Sequence, residues 1–187
     1  ECLSTSSGVK RVLLLNVNSR LSTADSSCVN AGHAVGECVT AIHLHRVESG
    51  GAVGADGWRL YPARRTTHEP RQGQSRSDTQ DLTRIGRDLE QRAGITVDQV
   101  TGVVTDGATT DNRFTQLTAF MRAELEACEP AHHVVGAVAL AGDVGHCATA
   151  LVQLGVAYLL AVEHAQGAVL VLDRYRSDTT AGWLLAK

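Results

Sequence analysis

The sequence predicts an α/β fold in which a layered, mixed β-sheet surrounds a buried central helix. Three observations lead there. Apolar runs of strand length alternate with amphipathic stretches of helical period. Between Ala148 and Val162 only Thr149 and Gln153 are clearly polar, so that helix needs cover on nearly every side. The chain's 187 residues, 43% of them hydrophobic and 20% charged, suffice for one ordinary domain with a real core.

Taken in order, Glu1 to Gly8 is a small, polar lead-in, and Val9 to Val17 ends in an apolar run that predicts a buried strand. Asn18 to Asn30 reads as a loop. Val35 to Val47 alternates as a second strand, with Val39, Ala41, His43 and His45 on one face. A close histidine pair can hold a metal, but no third ligand stands nearby, so an exposed strand face is expected. A long irregular excursion is predicted at about 48–80, rich in glycine and arginine, with a short strand at Trp58–Tyr61. Its scattered arginines form no phosphate cradle. Asp81 to Gly94 is an amphipathic helix with Leu82, Ile85 and Leu89 inward, and Val97 to Thr105 is the next strand. Arg113 to Cys128 presents Phe114, Leu117, Phe120, Met121, Leu125 and Cys128 at helical spacing, a stripe assigned to the core. Val134 to Leu140 is a strand, the apolar helix follows, and Ala168–Tyr175 and Ala181–Ala186 close the fold as two strands. All of 1–187 is read as a single domain.

The net charge of −3 gives no argument for nucleic acid or a membrane surface as partner. Five cysteines, odd in number, widely spaced and without a CxxC, argue against a disulfide scaffold or a zinc ribbon. No signal peptide or transmembrane segment is legible, so the expected setting is cytoplasmic and reduced. The sequence begins with Glu1 rather than Met, which predicts a processed or trimmed end. Chemistry concentrates at Gly142-Asp-Val-Gly-His-Cys147, where the central helix begins. His146 is a candidate catalytic residue there. A thiol at a helix N-terminus beside a histidine is activated, which makes Cys147 a further candidate against its reading as an inert buried thiol. Asp143 reads as an N-cap or loop residue. A metal held by Asp106, Asp111 and His146 lacks a spacing signature, and the glycines before His146 match no nucleotide fingerprint. No cofactor and no metal are expected.

Several stretches, in order, resemble the thiolase-like superfamily, in particular the C-terminal half of β-ketoacyl synthases. Leu13-Leu-Leu-Asn-Val-Asn-Ser19 is similar to the family's strand ending in a Val-Asp-Ser turn. Ala34 to Leu44 is similar to its Pro-Gly-Glu-Gly-Ala-Ala-Ala strand. Val103 to Thr110 takes the place of the strand and loop ending His-Gly-Thr-Gly-Thr, and Val138 to His146 that of Val-Lys-Ser-Asn-Ile-Gly-His. The resemblance implies half of a thiolase-like fold. It matches His146 to the family's second active-site histidine, puts Asp106 at the place of the first and Ala141 at that of the lysine, and implies a nucleophilic cysteine in an N-terminal half upstream.

Two functions follow as expectations. One is a ketosynthase-like subunit, non-catalytic by itself, serving as a structural or adaptor component. The other is the C-terminal piece of an acyl-transferring enzyme whose nucleophile lies in a separate half. Expected partners are an N-terminal thiolase-like half or a second copy, with an acyl carrier a further one. An unrelated phosphate-binding α/β domain ranks last.

Overall fold

The computed structural model describes residues 10–19, 36–46, 57–67, 76–107, 113–126, 128–129, 133–163, 167–174 and 179–187. The elements run β1 (Arg11–Ser19), β2 (Glu37–His45), β3 (Arg59–Thr67), α1 (Arg76–Ala93), a 3-10 turn (Val97–Gln99), β4 (Val100–Thr105), α2 (Arg113–Glu124), β5 (Val134–Gly136), α3 (Ala137–Ala141), α4 (His146–Glu163), β6 (Ala168–Asp173) and β7 (Thr179–Ala186). Five strands form one mixed sheet in the order β3-β7-β6-β4-β5; β1 and β2 form a separate antiparallel hairpin. Within the larger sheet β4, β5 and β6 are parallel, while β7 runs against both β6 and β3.

Strand alternation splits the core in two. Val103, Leu170, Leu172 and Leu184 face α1 and α2, meeting Leu82, Ile85, Leu89, Phe120 and Met121. Their neighbours Val104, Val169, Val171, Trp183 and Leu185 face α4 and meet Ala157 and Ala161. β6 is buried along its whole length, which explains its uninterrupted apolar sequence. The buried stripe of α4 is Ala148, Thr149, Gln153, Ala157 and Ala161; its three alanines let the helix lie close to the sheet, and Gln153 donates to the Leu172 carbonyl at 3.0 Å. The side of α4 away from the sheet meets the β1–β2 hairpin, so the layers read helices, sheet, helix, hairpin. By length and composition α4 is apolar enough to cross a membrane, with a mean hydropathy of 1.4. Of its residues 28% are buried, on the sides that meet the two β layers. Tyr158, Leu159 and Val162 stay exposed, so the two β layers cover only part of its circumference.

Four differences from the sequence reading stand out. The first strand, expected to be buried, shows Leu13, Leu15 and Val17 at 65% exposure or more, because among the described residues the β1–β2 pair meets α4 with one face only. The excursion predicted at about 48–80 contains a nine-residue strand, β3, and the first turn of α1; the rest of it lies outside the described residues. Pairing with β7 extends β3 well beyond Tyr61, and the register shifts between Tyr61 and Arg64, where Pro62 supplies no N–H. The strand predicted over Val134–Leu140 ends at Gly136, because Ala-Val-Ala-Leu-Ala turns helical and closes on Gly142 at φ +72°. Phe114, assigned to the core stripe, is half exposed. The Lys10–Arg46 end of the hairpin is closed by a backbone bond from the Arg46 amide to the Lys10 carbonyl of 2.8 Å.

Candidate functional site

From β4 the chain crosses over α2 to β5 on one side, then returns over α4 to β6 on the other. The direction of winding therefore reverses beside β4, and α/β folds bind ligands at the carboxyl ends of strands at such a point. The residues found there are Asp106 after β4, Asp173 and Arg174 at the end of β6, Arg113 opening α2 and His146 opening α4. Two glycines bring the loops together. Gly107, at φ +81°, lies so near Gly136 that a side chain on it would come within 3.2 Å of the Gly136 Cα. The Val138 amide then donates to the Asp106 carbonyl at 3.0 Å.

His146 Nε2 is 3.1 Å from Asp173 Oδ2, so a carboxylate from β6 orients the imidazole that opens α4. Arg113 donates to the Arg174 carbonyl at 2.7 Å, and Arg174 donates to the Gln116 side chain at 2.5 Å. Arg113 Nη1 stands 3.7 Å from Asp106 Oδ2, an ion-pair separation too long for a hydrogen bond. That carboxylate oxygen is buried and accepts no hydrogen bond. Burial first, and the charge of Asp173 second, push the Asp106 carboxyl up to about 6; Arg113 and Arg174 oppose the shift without cancelling it. Beside this cluster lies a cleft of about 200 Å³ lined by Asp106, Arg113, Phe114, Leu117, Ala139 and Arg174 among others.

Of the sequence candidates, Asp106 and His146 come to the same strand ends, with Asp173 bonded to His146 and repelling Asp106. Cys147 does not join them. It is exposed on α4, contrary to the expectation of a buried thiol, because the following residue, Ala148, takes the buried position. Among the described residues Cys38 and Cys128 are also free thiols, Cys38 against Thr40 at 2.9 Å and Cys128 donating to the Val100 carbonyl at 3.0 Å. Burial pushes the Cys128 thiol up, away from reactivity. Asp111, considered with Asp106 and His146 for a metal, lies outside the described residues, and no group of three metal-ligating side chains occurs among those described. Asp143 accepts from the Gly145 amide at 2.9 Å, so a carboxylate already holds the turn where a phosphate would be cradled. Sequence reasoning missed Arg113, Asp173 and Arg174. The signal for the last two was an Asp-Arg pair breaking an apolar strand at its carboxyl end.

No family model and no curated protein matches the sequence. Solved structures do match the fold. The ishigamide ketosynthase/chain length factor aligns over 95% of this chain and 49% of its own, with 16% identity and a TM-score of 0.65. AbyA1, a tetronic acid condensing enzyme, aligns over 100% of this chain and 62% of its own, with 15% identity and a TM-score of 0.61. The 3-oxoacyl-(acyl-carrier-protein) synthase III from Aquifex aeolicus VF5 aligns over 95% and 58%, with 15% identity and a TM-score of 0.58. The fold is thiolase-like. The chain spans less than two thirds of each of these three proteins, so it corresponds to about half of the thiolase-like architecture.

At these strand ends of the thiolase-like fold Asp173 has two neighbours to serve, an imidazole it orients and a carboxyl it repels. Asp173→Asn is expected to lower the pKa of Asp106 toward the ordinary carboxylate range, because it removes the nearby negative charge while keeping the side chain's shape. A carbon-detected titration of the Asp106 carboxyl checks this. An unmoved midpoint would mean that burial alone sets it.

Proposed function

We propose that this chain is a divergent ketosynthase-like subunit that is non-catalytic by itself and acts as a structural or adaptor component, in a soluble, cytoplasmic setting. The observation that supports this most is the Asp106 side chain at the strand end where the resemblance calls for an imidazole. Condensation requires donors around a thioester oxygen as it becomes an anion. A buried carboxyl that ionises near pH 6, with Asp173 beside it, opposes negative charge at that point. Among the described residues that line the cleft alongside there is no thiol, and an acyl acceptor of this chemistry needs one. The test is incubation of the isolated chain with acyl thioesters, read by intact mass and by release of free thiol. No acyl adduct and no release are expected, and a single turnover would overturn the reading.

A second reading, the C-terminal piece of an acyl-transferring enzyme whose cysteine lies in a separate N-terminal half, is favoured by the β1–β2 hairpin. Its outer face carries Leu13, Leu15, Val17 and Val39, each at least 65% exposed. Among the described residues β1 and β2 pair only with each other, leaving an open edge on each side. A preceding thiolase-like half, or else a second copy, would cover such a face. An acyl carrier then belongs to the same proposal as a transient partner; nucleic acid and membrane do not. Native mass spectrometry of the protein expressed from its complete gene separates the readings. A partner whose cysteine is acylated only in the complex supports the enzyme piece, and a chain found alone or paired with itself supports the adaptor.

A further inference from the structure

His43 and His45 are exposed on the outer face of β2, two residues apart, with ring centroids 4.3 Å from each other. We propose that these two imidazoles form a binding site for a divalent transition-metal ion, separate from the cleft and lying on the hairpin face that a second half or second copy would cover in the second reading above. Strand geometry brings the pair together, since residues i and i+2 project from one face about 7 Å apart at the backbone. The rings are tilted by 56° rather than stacked, so their edges can converge on one ion. With metal–nitrogen bonds of about 2.0–2.1 Å, two imidazole nitrogens on one ion sit roughly 3.3 Å apart, which rings at this separation reach by small rotations. Because the pair is already adjacent on a paired strand, little side-chain freedom is lost on binding.

The chemistry of the donors selects the ion. Neutral imidazoles suit copper(II), nickel(II) and zinc(II), with copper bound most tightly, and do not suit calcium or magnesium. The cross-strand neighbours are Leu13 opposite His43 and Arg11 opposite His45, so no carboxylate from β1 adds to the set and the arginine opposes a cation. Among the described residues the site therefore supplies two protein ligands, and water can take other positions. The sequence reading passes over this pair for want of a third ligand. The structure shows two imidazoles already side by side on an open face.

The experiment is titration of the intact chain with copper(II), followed by electron paramagnetic resonance and calorimetry. One ion per chain with coupling to two nitrogens is expected. His43→Ala and His45→Ala should each weaken binding roughly tenfold or more, at least what loss of an outer-shell partner costs. His133→Ala, beside Glu129 and just before β5, should leave it unchanged. Both rings are exposed, so the variants should keep the parent's circular dichroism. If one does not, protection of His43 and His45 in the parent from diethyl pyrocarbonate by zinc(II) reads the same contact. Copper binding undiminished in the double variant, or absence of zinc protection, would overturn the proposal.

Discussion

Asp106→Asn is expected to stabilise the protein at pH 7 to 8 by up to about 3 kcal/mol, the equivalent of roughly two pKa units. In the unfolded chain the carboxyl ionises near the ordinary value of 3.8, whereas in the fold it does so at about 6. Below about pH 4 both states are protonated and the group is neutral with respect to folding. Between the two values the folded protein holds the extra proton, so stability falls as pH rises. Above about 6 the whole cost of a buried, repelled carboxylate is present. Asparagine keeps the shape and removes the charge. Urea unfolding of parent and variant at about pH 4 and about pH 8 reads the difference, expected near zero at the first and largest at the second. A variant less stable at pH 8 would mean that the Arg113 and Arg174 charges need this carboxylate more than burial penalises it.

Phe120→Ala is expected to cost about 3–5 kcal/mol. The ring is fully buried and joins α2 to α1 over the sheet. It sits so tightly against α1 that a methyl on Gly86 would come within 3.2 Å of its tip. The surrounding Leu82, Ile85, Leu89 and Met121 belong to elements fixed elsewhere, so collapse into the vacancy is limited and a cavity remains. Equilibrium denaturation measures the loss, and a cost below about 1 kcal/mol would show that α2 can shift to fill the space.

How far the sequence could be read follows from where its signals are local. Leu82, Ile85 and Leu89 announce α1 because helical period is written within a few residues. The apolar blocks at Val100–Thr105 and Ala168–Asp173 announce strands buried on both faces in the same way. β3 gave little sign of its length, because what extends it is pairing with β7, more than a hundred residues away in the chain. The turn of Ala137–Ala141 into helix was legible in its alanines but was outweighed by the valines beside them. At the site, Asp106 and His146 were reached through motif resemblance. Arg113 and Asp173 were not, since each gains its role from a partner on another element, Asp106 for the arginine and His146 for the aspartate. Cys147 looked suggestive because neighbours in sequence are easily taken for neighbours in space; a helix turns about 100° between them.

The strand order sets a schedule for folding. β7 is the last strand in sequence, yet it lies inside the sheet, joining β3 to β6; Arg59 pairs with Ala186 at the far end of the register. Until β7 docks, β3 has no partner strand and β6, paired with β4 on one side, shows an open and largely apolar edge on the other. Such long-range pairing makes for a high contact order, slow folding and a period of vulnerability to aggregation. The two sides of the sheet, β3 and the β6–β4–β5 block, are thus joined only when β7 settles between them.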